Sequence, residues 1–399
     1  MKLFPIFVTG NQFLKMKNRV INSFVDTQLK QYPILVITGP RQSGKTTFLK
    51  EEMSDYRYIS LEDPDVRSLV LSDPKAFLKD YDKYVIFDEV QQAPELFSYL
   101  QTKVDKDQIM GQYILSGSQN FNLMESISQS LAGRVSIFKL MPFDMGEMKM
   151  AGWLADDLST TMTMGFYPAI FQRGLNADKY YANYVETYIN RDVSQLQNIQ
   201  DKTTFKRFMA LCADRAGQLL NYNELAKDTG ISHTTARNWL SVLETSFITY
   251  PLGPYHKNYN KRMIKSPKLY FYDTGLLCYL LGIRQQKLDP LHPKYGHIFE
   301  NLIVSEMHKQ NFHRDLLRDL YFWRDSNQNE VDLLYSENGN LNIYEIKSST
   351  TIKSEMFKFM DTFSSFADEE SIKKTLIYGG NENQHRTNYE VISWRNIFV

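Results

Sequence analysis

Gly39-Pro40-Arg41-Gln42-Ser43-Gly44-Lys45-Thr46-Thr47 follows directly on an apolar, β-branched run, Ile34 to Thr38, and a helical pattern begins at Phe48. That order of strand, glycine-bounded loop and helix suits the cradling of a triphosphate. The glycines let main-chain N–H groups face phosphate oxygens, and the helix N-terminus adds the positive end of its dipole. All nine residues are candidate contacts. Lys45 is expected to reach the β- and γ-phosphates, the Thr46 hydroxyl to ligate Mg²⁺, and Arg41 to Ser43 to line the loop wall. The cofactors so implied are ATP and Mg²⁺. A second buried run, Tyr84 to Asp88, ends in two carboxylates. Asp88 would hold Mg²⁺ through water and Glu89 would polarise the attacking water. A third run, Gln112 to Ser116, is expected alongside, with the Ser116 hydroxyl at its end sensing the γ-phosphate.

A second set of reactive groups lies near the C-terminus. Glu300 falls in an apolar-periodic helix from Ile298 to Lys309, Asp332 in the strand-like Glu330 to Tyr335, and Glu345-Ile346-Lys347 ends a strand that begins at Leu341. The spacing suits two antiparallel strands joined by a turn over Ser336 to Asn340, bringing Asp332 and Glu345 near one point with Lys347 on the face of Glu345. Glu300, Asp332 and Glu345, with the Ile346 carbonyl, would bind a divalent cation. Lys347 would orient water or stabilise developing charge on phosphorus. The set resembles the PD-(D/E)xK nuclease core, including a following apolar strand from Thr375 to Tyr378. It departs from that core in having Val331, not proline, before the first acidic residue.

Between these sets, Asn221 to Glu244 reads as a helix-turn-helix. Leu225, Ala226, Ile231, Ala236, Trp239 and Leu243 take core positions, Gly230 closes the turn and Ser232 caps the second helix. That helix would show His233, Thr234, Arg237 and Asn238, groups able to reach DNA bases or phosphates. From Thr204 to Tyr270 ten Lys or Arg stand against four Asp or Glu, a net of +6. From Tyr295 to Val399 eleven basic residues stand against sixteen acidic ones, a net of −5. Duplex would therefore be held by the middle segment, not by the C-terminal one.

The elements needed to position these groups follow from the pattern of the whole chain. At 399 residues it can bury more than one core, and 46 basic residues balance 46 acidic ones, so global charge favours neither nucleic acid nor membrane. Cys212 and Cys278 lack the spacing for a zinc site or a disulfide framework and read as buried thiols of a cytoplasmic protein. His292, His297, His308 and His313 likewise lack the spacing of helical metal ligands. No signal peptide and no run of ~18 apolar residues is expected, hence no membrane partner. Gly165 to Pro168 interrupts the pattern, and an aromatic helix follows from Tyr180 to Ile199, where Arg173 and Arg191 would approach nucleotide or form surface ion pairs.

Through GPRQSGKTT, VIFDEVQQAPELF, LSGSQNF, SLAGR, NRDVSQL, KSPKLYFYDTGL, FENLIVSE, EVDLL and EIKSS, the sequence resembles the bacterial and archaeal AAA-type ATPases that carry a C-terminal domain long described as of unknown function. The resemblance implies an ATPase core, a winged-helix middle and a nuclease-like end. It also implies that Arg134 meets a γ-phosphate, in its own chain or a neighbour's. Read from the residues alone, Arg134 equally well caps the turn before the strand from Val135 to Leu140. The expectation is a multidomain α/β protein: residues 1–150 a P-loop ATPase domain with a parallel sheet, 151–204 a helical lid, 205–275 a winged helix and 276–399 a restriction-endonuclease-like domain. It would bind DNA and hydrolyse ATP, with cleavage left open. The alternative is an ATP-dependent switch acting through homo-oligomerisation, with the nuclease-like part a scaffold.

Overall fold

Five short strands between residues 34 and 139 align in parallel, the three central ones buried on both faces and the two edge strands partly exposed: β1 Ile34–Thr38, β2 Arg57–Ser60, β3 Val85–Asp88, β4 Tyr113–Ser116 and β5 Val135–Lys139. In this computed structural model, which describes residues 19–118, 125, 127, 129–190, 199, 201–255, 265–284, 288–367 and 371–397, their order is β2-β3-β4-β1-β5. Successive side chains point to opposite faces. Ile34, Val36, Val85, Phe87, Tyr113 and Leu115 pack against helices Pro64–Ser72, Pro74–Asp80 and Leu96–Asp107, whereas Leu35, Ile37, Ile86 and Ile114 pack against Asn22–Gln28 and Lys45–Glu52. The parallel arrangement brings residues 39–45, 88–89 and 116 to one edge, the C-terminal ends of the strands, where open α/β sheets bind ligands.

The remaining strands form one eight-stranded sheet in the order β12-β13-β11-β10-β9-β8-β6-β7. β6 Thr249–Pro254 and β7 Lys268–Phe271 pair antiparallel, and β6 joins β8 Tyr321–Arg324 in parallel through Gly253 and Pro254. β9 Glu330–Glu337 and β10 Asn340–Lys347 form a hairpin with a tighter turn than the sequence suggests, Asn338-Gly339, both residues in the left-handed region that two-residue hairpins need. β11 Ile372–Tyr378 runs parallel to β10, followed by β12 Gln384–Arg386 and β13 Tyr389–Ser393. One apolar core extends from Met141 to Ile397, uniting the central helices with this sheet.

Helices Tyr222–Thr229 and His233–Thr245 meet at Gly230, φ 82°, and the Ser232 hydroxyl accepts the Thr235 amide at 3.0 Å. Leu225, Ala236 and Leu243 are buried, whereas His233, Thr234, Arg237 and Asn238 are exposed. The aromatic helix runs Ala177–Tyr188, and Arg191 with its neighbours to 198 lies outside the described residues. Arg173 is exposed. Both cysteines are buried free thiols.

Helix Tyr295–His313 spans 19 residues, about 28 Å, and is buried along most of its length. Within it His308 packs edgewise on Tyr250, centroids 4.5 Å apart, and lies against Phe312. Burial pushes its imidazole down to about 4. A histidine kept neutral in the fold contributes stability above its unfolded pKa of about 6.5 that is lost as pH falls towards 4. The urea midpoint is therefore expected to drop on acidification through that window, and His308→Phe to flatten the dependence. Equal slopes in the two proteins would remove the assignment to His308.

Candidate nucleotide loop and carboxylate–lysine site

The loop after β1 depends on Gly39. Its φ is 146°, and a Cβ there would lie 2.3 Å from the Leu140 carbonyl oxygen, where the chain leaving β5 crosses. Gly44, φ 97°, turns the chain into helix Lys45–Glu52, whose first amides lack intrahelical partners. Lys45 is buried and its Nζ donates to the carbonyls of Gly39 at 3.0 Å and Pro40 at 2.8 Å.

Asp88 receives three hydroxyls at the end of β3. Thr46 Oγ1 and Tyr58 OH donate to Oδ2 at 2.8 and 2.5 Å, and Ser116 Oγ donates to Oδ1. The two oxygens of a carboxylate have lone pairs enough to accept all three donors. Burial and Asp88 push the Tyr58 phenol well above its ordinary range, which keeps it a donor. Glu89, next along, adopts the left-handed conformation at φ 55° and its Oε2 accepts from Gln91 Nε2. Ser43 Oγ and Thr38 Oγ1 are buried without a partner among the described residues. A glycine-bounded loop at a helix N-terminus, an ammonium, a hydroxyl against a carboxylate and two orphaned hydroxyls fit magnesium-complexed nucleoside triphosphate in donor type.

Arg134 is not brought to this loop. It precedes β5, its carbonyl accepts the Ile34 amide at 3.2 Å, and it therefore lies at the opposite end of β1 from Gly39, roughly 16 Å away along the strand. Its guanidinium forks onto Asp105 at 2.6 and 2.7 Å and donates to Ala132 O at 3.0 Å. The expectation that it meets a γ-phosphate is corrected for its own chain, because the parallel sheet separates the two ends of the strands. Arg19, which the sequence did not single out, is close instead. It is buried and donates from Nη1 to Ser43 O at 3.2 Å, from Nη2 to Met141 O at 2.7 Å and from Nε to Glu147 at 2.8 Å. Its Nη2 also lies 3.3 Å from His313 Nε2.

The β9–β10 hairpin and helix Tyr295–His313 assemble the second site. Asp332 Oδ2 accepts the Ile346 amide at 2.8 Å, and Lys347 Nζ lies 3.5 Å from that oxygen while also pairing with Glu345. Burial, with Asp332 nearby, pushes Glu345 up to about 8. Glu300 approaches from the helix. Three further groups, absent from the sequence expectation, join it: Glu330, Lys268 and Tyr270. Carboxylate oxygens of Glu300, Glu330 and Asp332 lie within 4.8 Å of one another. Lys268 Nζ is 3.0 Å from Glu300 and pairs with Glu330, and Tyr270 OH donates to Glu300 at 2.6 Å. Two-residue periodicity in Lys268-Leu-Tyr270 was the available signal, since it puts both polar groups on one face of β7. The carboxylates suit a divalent cation in type, but an ammonium already lies among them.

Parallel sheet, glycine-bounded loop and acidic strand end define the N-terminal part as a P-loop ATPase-like domain. A family model described as an AAA domain matches residues 31–149, and domains of unknown function, DUF8612 and DUF4143, match 155–287 and 295–397. The uncharacterized protein Rv2008c of Mycobacterium tuberculosis is 32% identical over 329 residues, covering 81% of this chain and 72% of its own. The chain belongs to the same family as that protein. MJ1544 of Methanocaldococcus jannaschii, also uncharacterized, is 24% identical over 371 residues, 85% of this chain and 80% of that one. Among solved structures, the Walker-type ATPase PABY2304 of Pyrococcus abyssi matches 65% of this chain and 94% of that one, with 14% identity and a TM-score of 0.41. Among the described residues no helix is long and apolar enough to cross a membrane.

Proposed function

We propose that the chain hydrolyses ATP at the loop Gly39–Thr46 and couples its nucleotide state to DNA held by the exposed face of helix His233–Thr245. The observation that carries the first part is the meeting of Thr46, Ser116 and Asp88 at the sheet edge where Lys45 and Glu89 also stand. Loop amides and Lys45 would bind the phosphates, and Thr46 with Asp88 would hold Mg²⁺, which offsets phosphate charge when bound. Glu89, one residue beyond Asp88, would accept a proton from water. For the second part, a net +6 segment presents His233, Thr234, Arg237 and Asn238 to solvent, as a phosphate- and base-contacting helix requires.

Phosphate release should rise when single- or double-stranded DNA is added at low salt, with Lys45→Ala as the blank. Turnover that DNA leaves unaltered, together with no salt-dependent DNA binding, would end the coupling half of the proposal. Turnover equal to the Lys45→Ala blank would end the ATPase half. A second reading, an ATP-dependent switch whose C-terminal part is a scaffold, is favoured by one observation, the ammonium of Lys268 within the carboxylate cluster. It expects nucleotide to change the mass seen by light scattering without nucleic acid.

A further inference from the structure

Three carboxylates, Glu300, Glu330 and Asp332, converge to within 4.8 Å from a helix and one strand, and Asp332 and Glu345 are almost wholly buried. Packed together away from water, such groups repel unless a cation lies among them. The cations present are the chain's own: Lys347 stands beside Asp332 and Glu345, and Lys268 beside Glu300 and Glu330. The Lys268 side chain is 2% exposed, reaches Glu300 at 3.0 Å, pairs with Glu330, and has no other polar side-chain partner among the described residues.

A small divalent cation bonds carboxylate oxygens at about 2.0–2.6 Å. Placed on the oxygens of Glu300 and Glu330 that face Lys268, it would lie against the ammonium, so the two positive groups compete for one place. Lys268 is brought there from outside the hairpin of Asp332 and Glu345. It begins β7, at the end of the sheet, in the strand pair that follows helix His233–Thr245. A further acceptor waits beside the cluster: Glu345 Oε2 is buried without a hydrogen-bond partner among the described residues.

We propose that Lys268 is a tethered cation that keeps divalent metal out of the Glu300–Glu330–Asp332 cluster, so that Mg²⁺ or Mn²⁺ enters only when Lys268 leaves. The inference rests on the cation-site reading of these carboxylates and deepens it. It makes metal entry a property of the β6–β7 strand pair, and ties the C-terminal site to the segment proposed to hold DNA.

The test is Mn²⁺ binding to the full chain without nucleotide, read from the paramagnetic signal of free Mn²⁺ and from the melting temperature in Mn²⁺ against chelator. Wild type, Lys268→Ala, Asp332→Ala and Lys268→Ala/Asp332→Ala are compared. Lys268→Ala should bind roughly tenfold or more tightly than wild type and melt higher in Mn²⁺, and Asp332→Ala should abolish the gain. If wild type and Lys268→Ala bind alike and both lose binding with Asp332→Ala, the cluster is a metal site but Lys268 does not guard it. If folded Lys268→Ala binds none, or the gain survives loss of Asp332, the cation-site reading falls and this inference with it. Should Lys268→Ala fold only in Mn²⁺, that rescue supports the proposal. Failure of both Lys268→Ala and the similarly long Lys268→Met to be stabilised by Mn²⁺ overturns it.

Discussion

Glu89→Gln is expected to lower ATP turnover by roughly 10² to 10⁴, the span of a positioned general base, while magnesium-complexed ATP still binds. The substitution keeps volume and leaves an oxygen to accept from Gln91, so the left-handed turn at φ 55° and the Asp88 cluster beside it are retained. Only proton acceptance is removed. Lys45→Ala should behave differently, weakening affinity itself, because an ammonium that now rests on the carbonyls of Gly39 and Pro40 is proposed to turn to phosphate. Calorimetric titration separates the two effects, and phosphate release measures the first. Wild-type turnover in Glu89→Gln would take the base away from Glu89.

Arg19→Ala is expected to cost about 3–5 kcal/mol of folding stability, as removal of one partner from a buried ion pair does. Glu147 would be left buried with its charge uncompensated, and the carbonyls of Ser43 and Met141 would each lose a donor. The consequence should reach beyond stability. Ser43 belongs to the loop Gly39–Thr46 proposed to bind nucleotide, and His313 ends the helix that carries Glu300 in its first half, so Arg19 joins the loop to the element that supports the second site. ATP affinity should fall along with the urea midpoint. An unchanged midpoint would mean that the pair is not a support of the fold.

The same junction sets an acid limit. Burial would raise the Asp144 carboxyl, but the His313 imidazole, the Glu147 amide and Arg314 outweigh it and hold it well below the usual carboxylate range. A depressed folded pKa gives stability that is present above the unfolded value, about 3.9, and is lost as pH falls below it. The junction is thus intact at neutral pH, where Arg19→Ala is best compared with wild type.

Local pattern carried much of the architecture. Four consecutive apolar residues and a threonine before Gly39 are enough for a buried strand, and glycine is demanded where a Cβ would meet the Leu140 carbonyl. Thirteen residues from Asp332 to Glu345 leave room for one hairpin turn, and Gly230 with Ser232 marks the junction of two helices by its own chemistry. Each of these rests on contacts within a few residues, or on a strand's period of two. By contrast, Tyr58 reaches Asp88 only because β2 is laid beside β3, and Arg134 is removed from the loop because parallel pairing sends it to the far end of the sheet. Arg19 meets a residue 128 positions away and another 294 away, and Lys268 meets carboxylates 32 and 62 positions on. No short-range rule specifies such meetings. The sequence by itself determined which segments become strands, loops and capped helices, since backbone sterics and side-chain periodicity act locally. Only the packed tertiary structure decided which charges share a buried space, because that depends on how distant elements pair and on the need of each buried charge for a partner.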